Sequence, residues 1–201
     1  MVRVLLFLTL FLSLVTPLGA QNVARIELAI APSERDLSEP VLTESLEQTQ
    51  RLFRRLGVTV QFNRSRIRRV NNPTSLEEAE DQGWRFTQLM RNKFPWAEYT
   101  MVITGPIILP DGRMYHYGEV DGGCLPGAWR RSHANVWTTD DRRDPVGIAT
   151  NYIAHEVGHL LGASHDFNEP VNLMGYFPWE SRDVNLRWST KSRREIRACF
   201  Q

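Results

Sequence analysis

A short segment of the chain carries histidines and a glutamate at the spacing of a metal site. His155 and His159 are four residues apart, so on a helix they lie on one face and their imidazoles can share one zinc ion. Gly162 can end that helix in the left-handed conformation, after which the chain turns back and His165 can supply a third nitrogen. Three protein ligands leave a fourth position for water, which is typical of a catalytic zinc ion. Glu156 is placed to accept a proton from that water.

The alternative to a metal site is a core helix with unrelated histidines. Two histidines at this spacing are common by chance, but the adjacent glutamate, the glycine and the third histidine together fix five positions in eleven residues. A purely structural zinc site would need a fourth protein ligand, which Asp166 or His133 would have to supply. His133 and His116 are otherwise interpreted as ordinary surface or core histidines. The pattern therefore favours one catalytic zinc ion per chain.

This segment is predicted to lie at the end of a helix within an α/β domain. Asp144 caps the helix, Pro145 occupies its first turn, and the helix runs to about Leu161. Apolar patterns predict strands at 23–30, 58–62, 99–104 and 135–138, an edge strand within 105–131, and helices at 38–56, 75–93 and from Ser189 onward. Strands that alternate with helices indicate an α/β layout with a mixed sheet.

Residues 1–20 have the pattern of a secretory signal peptide. Arg3 is their only charged residue, Val4 to Val15 is apolar, and small residues end the segment at Ala20. We expect cleavage after Ala20 and secretion of a single domain at 21–201, with an uncleaved membrane anchor as the alternative. No later stretch is long and apolar enough to cross a bilayer.

Charge and cysteine content indicate which kinds of binding partner and which redox compartment the sequence favours. Without Arg3 the chain has equal numbers of acidic and basic residues, which gives no indication of nucleic acid or of an anionic membrane as a partner. Cys124 and Cys199 allow only one pairing. In a secreted protein a disulfide is favoured over two free thiols or zinc ligands.

The sequence also contains candidate sites for N-glycosylation and for calcium binding. Asn63 begins the sequon Asn63-Arg64-Ser65, so it is a candidate for N-glycosylation. Calcium binding stays open, because acidic residues such as Asp140 and Asp141 are also typical of a solvated turn.

The five fixed positions of the zinc segment resemble the extended signature of the metzincin metallopeptidases. Asn172 to Tyr176 resembles the metzincin Met-turn, which places Met174 beneath the zinc ligands. The pair His165-Asp166 is similar to the adamalysin (reprolysin, or ADAM-like) branch, in which an aspartate follows the third ligand. Gly122-Gly123-Cys124, together with Cys199, is similar to the long-range disulfide of that branch.

The resemblance implies a zinc endopeptidase with a metzincin-type zincin fold, built on a mixed, mostly parallel sheet with long helices. It implies an upper subdomain at about 21–162 and a small C-terminal subdomain at about 163–201, with protein or peptide substrate bound extended in the cleft between them. Glu156 would act as general base, and Gly162, Asp166 and Met174 would support the ligands.

The role of Tyr176 and the function of the chain each have an alternative interpretation. Tyr176 stands two residues after the methionine, as in the astacin and serralysin branches, where that tyrosine can join the zinc ion and stabilise the oxyanion. Packing beneath the site is the alternative role for Tyr176. The alternative function is a secreted binding protein or toxin on the same scaffold, although such proteins usually lack a ligand or the glutamate. We expect a monomer.

Overall fold

The computed structural model of this protein describes the greater part of the chain. It covers residues 22–30, 38–69, 74–93, 99–104, 107–108, 114–115, 118–121, 124, 130–135, 144–169, 172–175 and 187–201. The predicted signal peptide, His116, Tyr176 and the pair Asp140–Asp141 lie outside these residues. Among the helices of the described segments, none has the length and apolar character that a membrane span requires.

A five-stranded sheet forms the centre of the fold. Its strands are β1 (Val23–Ile30), β2 (Thr59–Arg69), β3 (Tyr99–Thr104), β6 (Gly118–Asp121) and β7 (Arg130–Asn135), in the order β2-β1-β3-β7-β6. Two short strands, β4 (Ile107–Ile108) and β5 (Met114–Tyr115), pair with each other separately. Strands β1, β2, β3 and β7 run parallel, whereas the edge strand β6 is antiparallel to β7. The predicted mixed, mostly parallel sheet is therefore confirmed, with an edge strand just before Cys124.

Two strands differ from the prediction because distant pairing partners define them. Strand β2 continues beyond residue 62 to Arg69, which pairs with Ile30 after a shift in register. Strand β7 covers residues 130–135 and so begins five residues before the predicted strand at 135–138, of which 136–138 lie outside the described residues. The sequence of β7 is mostly polar, yet β3 and β6 flank it on both sides. Strand propensity depends on such neighbours, so the local pattern did not reveal either boundary.

The described residues form four helices. They are α1 (Glu39–Arg54), α2 (Leu76–Lys93), α3 (Pro145–Leu160) and α4 (Thr190–Ala198). Helix α1 buries Leu42, Leu46 and Phe53, as its predicted apolar stripe requires. It lies against α3, where the Ser45 hydroxyl donates to the carbonyl oxygen of Val146 at 3.2 Å.

Helix α3, which carries the first two histidines, begins as predicted. The Asp144 carboxylate accepts a hydrogen bond from the Gly147 N–H at 2.8 Å and so caps the helix. Ala149, Ile153 and Val157 follow one another at one-turn spacing and are all fully buried. This buried face anchors α3 in the core and so holds the backbone at its C-terminal end in place.

Helix α4 is fastened at both ends. At its start the Ser189 hydroxyl accepts a hydrogen bond from the Ser192 N–H at 3.1 Å, as predicted for its cap. At its end Cys199 forms a disulfide with Cys124, across a sequence separation of 75 residues. A cross-link over a loop of this length stabilises the fold by roughly 4 kcal/mol in the chain-entropy model.

The disulfide lies against the turn that ends α3, which makes Gly162 sensitive to substitution. Gly162 has a φ of 88°, and a Cβ atom there would lie 2.8 Å from the Cys124 sulfur. We expect Gly162→Ala to lower the free energy of unfolding by about 2–4 kcal/mol, from left-handed backbone strain together with overpacking. Urea denaturation of the purified protein measures this loss.

Gly57→Ala is the matched control for this substitution. Gly57 also has a positive φ, of 81°, but a Cβ atom there would have no neighbour within 4 Å. Its loss should be about 1–2 kcal/mol, from backbone strain alone. Equal losses for the two variants would contradict the contact between Gly162 and the disulfide.

Candidate metal centre

The end of α3 turns the chain back so that three histidines meet. His155 and His159 lie on the last turns of α3, one turn apart. The Gly162 N–H donates to the His159 carbonyl at 2.9 Å, and the Ala163 N–H donates to the Gly158 carbonyl at 2.9 Å. These two bonds, with the positive φ of Gly162, form a Schellman motif. The motif reverses the chain within a few residues and brings His165 beside the helix.

The three imidazoles point one nitrogen each at a common point. The Nε2 atoms of His155 and His159 are 3.1 Å apart, those of His159 and His165 are 3.2 Å apart, and those of His155 and His165 are 3.3 Å apart. Tetrahedral zinc with bonds of about 2.0–2.1 Å requires ligand nitrogens about 3.3–3.4 Å apart. The triangle therefore fits a single zinc ion bound by three protein ligands.

Backbone carbonyls orient two of these rings. The Nδ1 atom of His155 donates to the carbonyl oxygen of Leu173 at 2.6 Å, and Nδ1 of His159 donates to that of Ala163 at 2.8 Å. Since a carbonyl oxygen can only accept, each Nδ1 carries the proton and each Nε2 presents a lone pair. Lone pairs this close repel one another unless a cation lies between them, which supports a metal ion at this point.

Burial keeps the same rings neutral. It lowers the pKa of His155 to about 3, with the neighbouring His159 adding to the effect, and it lowers the pKa of His159 to about 4. The pKa of His165, which is only partly screened from solvent, is also lowered, first by this partial burial and then by the charge of Lys191. All three histidines are therefore unprotonated at neutral pH, which is the form that binds metals.

Glu156 is a buried carboxyl group next to the first histidine. Its exposed fraction is 7%, and burial raises its pKa to about 8. Among the described residues, its Oε2 atom has no hydrogen-bond partner. A buried carboxylate oxygen without a protein partner is costly unless a water molecule or another group meets it, so this oxygen suits a proton-transfer role.

The segment of the predicted Met-turn is hydrogen-bonded to both ligand segments. Met174 is fully buried, and its N–H donates to the Asn172 side-chain oxygen at 2.8 Å. The Asn172 side-chain nitrogen donates in turn to the carbonyl oxygens of Asp166 at 2.9 Å and Glu169 at 2.7 Å. The Leu173 carbonyl of this turn is the acceptor for His155. Sequence reasoning singled out Met174 but missed these orienting contacts, because backbone carbonyls leave no signal in a sequence.

Asp166 has a structural position beside the third histidine. Its Oδ1 atom accepts a hydrogen bond from the Asn168 N–H at 3.0 Å, and its pKa is lowered first by the hydroxyl of Ser189 and then by that N–H. Within the described residues, the metal-ligand cluster contains the three histidines and not Asp166. The four-ligand structural site with Asp166 therefore gains no support from this geometry.

Other candidate residues have separate positions. Asn63 is exposed on β2, where its side-chain nitrogen donates to the carboxylate of Glu27 at 2.8 Å. The backbone of His133 lies in β7, on the sheet. Tyr176 lies outside the described residues, so its predicted role stays a prediction.

Close packing under the site makes Gly158 intolerant of a side chain. A Cβ atom at Gly158 would lie 2.7 Å from the sulfur of Met174 and 3.0 Å from the Trp188 ring. We expect Gly158→Ala to cost about 1–3 kcal/mol of unfolding free energy through overpacking. Thermal unfolding measures the cost. In the double variant with Met174→Ala part of the loss should be recovered, and strictly additive losses would contradict this contact.

The sequence of the chain matches a known protein family. A family model described as Metallo-peptidase family M12B Reprolysin-like matches residues 45–166, which is more than half of the chain. The matched range includes the three histidines and Glu156. No curated protein sequence matches the chain.

Solved structures resemble the fold at low sequence identity. Metalloproteinase-II from Bacteroides fragilis is 17% identical with a TM-score of 0.59, and the match covers 90% of this chain but 54% of that one. The present chain thus spans about half the length of that protein. Archaemetzincin from Methanopyrus kandleri is 14% identical with a TM-score of 0.57, and the match covers 92% and 98% of the two chains. A zinc-dependent peptidase from Methanocorpusculum labreanum is 17% identical with a TM-score of 0.50, covering 85% and 99%. These likenesses identify a zincin-like fold.

Proposed function

The chain belongs to the reprolysin-like metallopeptidase family M12B, and we propose that it is a zinc-dependent endopeptidase that is secreted and cuts extracellular proteins or peptides. One observation carries the proposal. The Nε2 atoms of three neutral histidines lie within 3.3 Å of one another, beside a buried glutamate. This is the donor set of a catalytic zinc site, with three protein ligands and a position left for reacting groups.

We assign His155, His159 and His165 as the zinc ligands and Glu156 as the general base. A zinc ion held there would polarise the scissile carbonyl and lower the pKa of water toward about 7. Glu156 accepts the proton of the attacking water and then delivers it to the leaving amine. Burial alone raises the pKa of this carboxyl group to about 8, and the positive charge of a zinc ion beside it would favour the carboxylate form that accepts the first proton.

The proposed substrate is a peptide in extended conformation along β6. Strand β6 is at the edge of the five-stranded sheet, and α3, which carries His155 and His159, contacts it. An edge strand offers unpaired backbone groups that pair with an extended peptide. Substrate backbone on β6 would therefore lie next to the helix of the zinc ligands. The cleft would separate an upper subdomain at 21–162 from a lower subdomain at 163–201.

Secretion and the ADAM-like branch belong to the same proposal. Residues 1–20 would be removed as a signal peptide, and the Cys124–Cys199 disulfide suits an oxidising compartment. The buried Asp166 directly after His165, together with this disulfide, supports the adamalysin branch. We propose that the mature protein acts as a monomer.

The experiment that tests the function measures zinc content and peptide cleavage on the same preparation. The protein is secreted from a eukaryotic host, and mass spectrometry of its N-terminus tests cleavage after Ala20. We expect one zinc ion per chain, turnover of a quenched-fluorescent peptide mixture, loss of turnover with a chelator, and recovery with added zinc. A protein that holds one zinc ion but cleaves no peptide would contradict the proposed peptidase activity and favour the binding-protein alternative.

A further inference from the structure

One face of α4 packs along the segment that carries the third histidine. Lys191, Glu195 and Cys199 are four residues apart, so they lie one above the other on this helix. We call these three residues the α4 clamp, and residues 162–165 the ligand loop. The clamp residues contact the ligand loop in reverse chain order: Lys191 contacts His165, Glu195 contacts Ser164, and Cys199 approaches Gly162 through its disulfide partner Cys124.

The contacts of the clamp are specific. The Lys191 ammonium group donates to the carbonyl oxygen of His165 at 2.8 Å. The Glu195 carboxylate accepts from the Ser164 N–H at 2.9 Å and from the Ser164 hydroxyl at 3.0 Å. Cys199 is bonded to Cys124, whose sulfur lies 2.8 Å from where a Cβ atom of Gly162 would be. The clamp thus contacts His165 and Ser164 directly, and it approaches the turn at Gly162 through Cys124.

The ligand loop needs such support more than the other ligand segment does. His155 and His159 belong to a buried helix, and backbone carbonyls fix their rings. Ser164 and His165 are exposed and belong to no helix or strand. Three nitrogens can share one zinc ion only while His165 stays at its place, so whatever holds the ligand loop holds the geometry of the site.

We propose that Glu195 is a positioning residue of the zinc site, holding Ser164 so that the imidazole of His165 stays on the metal. The inference rests on the proposed zinc ligands. Lys191 supports the same arrangement, because its ammonium group lies 4.0 Å from the Glu195 carboxylate while it donates to the His165 carbonyl. The carboxylate binds both donors of Ser164 at once, and charge-assisted hydrogen bonds of this kind are stronger than neutral ones.

The test measures how fast zinc leaves the folded protein. The zinc-loaded chain is mixed with excess chromogenic chelator, far below its unfolding temperature, and the release rate is recorded. Loss of an outer partner of a zinc ligand typically weakens metal binding about 10–100-fold. Glu195 acts through the backbone rather than on the ring, so we expect Glu195→Ala to speed release about tenfold. Glu195→Gln keeps one oxygen that can accept from Ser164 and should recover most of the retention.

A double-mutant cycle identifies the contact itself. Ser164→Ala removes the hydroxyl bond but keeps the N–H bond, so it should speed release about twofold to threefold. In the Glu195→Ala background the same substitution should have no further effect. Arg194→Ala, at an exposed position of the same helix, should release zinc like the wild type. The spectrum of the cobalt-substituted protein should change with Glu195→Ala and not with Arg194→Ala.

Two results would overturn the positioning role. One is a folded Glu195→Ala variant that releases zinc at the wild-type rate. The other is equally fast release from Leu42→Val, a remote core variant on α1, at the same loss of unfolding temperature, since the effect would then be global. A wild-type chain that binds no zinc would overturn the proposed function and this inference together, whereas the first two results leave the zinc site itself untouched.

Discussion

Glu156→Gln is expected to lower kcat/KM for peptide cleavage by about a hundredfold to ten-thousandfold while leaving zinc bound, which is the factor that a positioned general base contributes. Glutamine has nearly the same shape as glutamate but cannot accept and return a proton. The side chain is buried in the fold, so an isosteric replacement keeps the packing at the end of α3. The three histidines are unchanged, and zinc retention should therefore match that of the wild type.

Initial rates on a quenched-fluorescent peptide measure this loss, and zinc content is determined on the same samples. Glu77→Gln makes the same chemical change at an exposed position in the first turn of α2, so it should cleave at the wild-type rate. Glu156→Gln that keeps more than about a tenth of the activity would rule out Glu156 as the general base. Loss of zinc from this variant would instead give Glu156 a structural role.

The parts of the fold that local chemistry determines could be predicted from the sequence. Strand β1 and strand β3 have the predicted bounds, and α3 begins at its Asp144 cap. Each has a local cause, such as an apolar alternation or a capping side chain next to a proline. By contrast, β7 has a polar sequence and is a strand because β3 and β6 lie on either side of it. No local pattern encodes such neighbours.

The candidate site also contains some groups that the sequence predicts and others that only the fold reveals. The side chains that can bind zinc share a short segment, so their spacing alone predicts that His155 and His159 meet on one helix face. The groups that orient them come from elsewhere in the chain, as the Leu173 carbonyl and Glu195 illustrate. A carbonyl is present at every residue and a glutamate on a helix is usually solvated, so neither could be recognised before the fold was known.

Removal of a single zinc ligand is the second substitution with a large expected effect. Replacing any of the three histidines with alanine leaves two nitrogens for the metal, and zinc affinity should fall by more than about 100-fold, beyond the loss typical of an outer partner. Peptide cleavage should be lost with the zinc. Competition with a chelator of known affinity measures the change, and His116→Ala should bind zinc like the wild type because His116 is not expected to be a ligand.

Two of these variants, His155→Ala and His165→Ala, should differ in the stability of the zinc-free protein. This difference distinguishes an effect on zinc binding from an effect on folding. His155 is buried and its ring donates to the Leu173 carbonyl, so alanine leaves that acceptor unsatisfied at a cost of about 1–3 kcal/mol. His165 is exposed, and alanine there should change the unfolding free energy by less than about 0.5 kcal/mol. Urea denaturation in the presence of chelator measures both values. If His165→Ala binds zinc normally, the third ligand is wrongly assigned; if it unfolds the zinc-free protein, its loss of zinc would reflect folding rather than coordination.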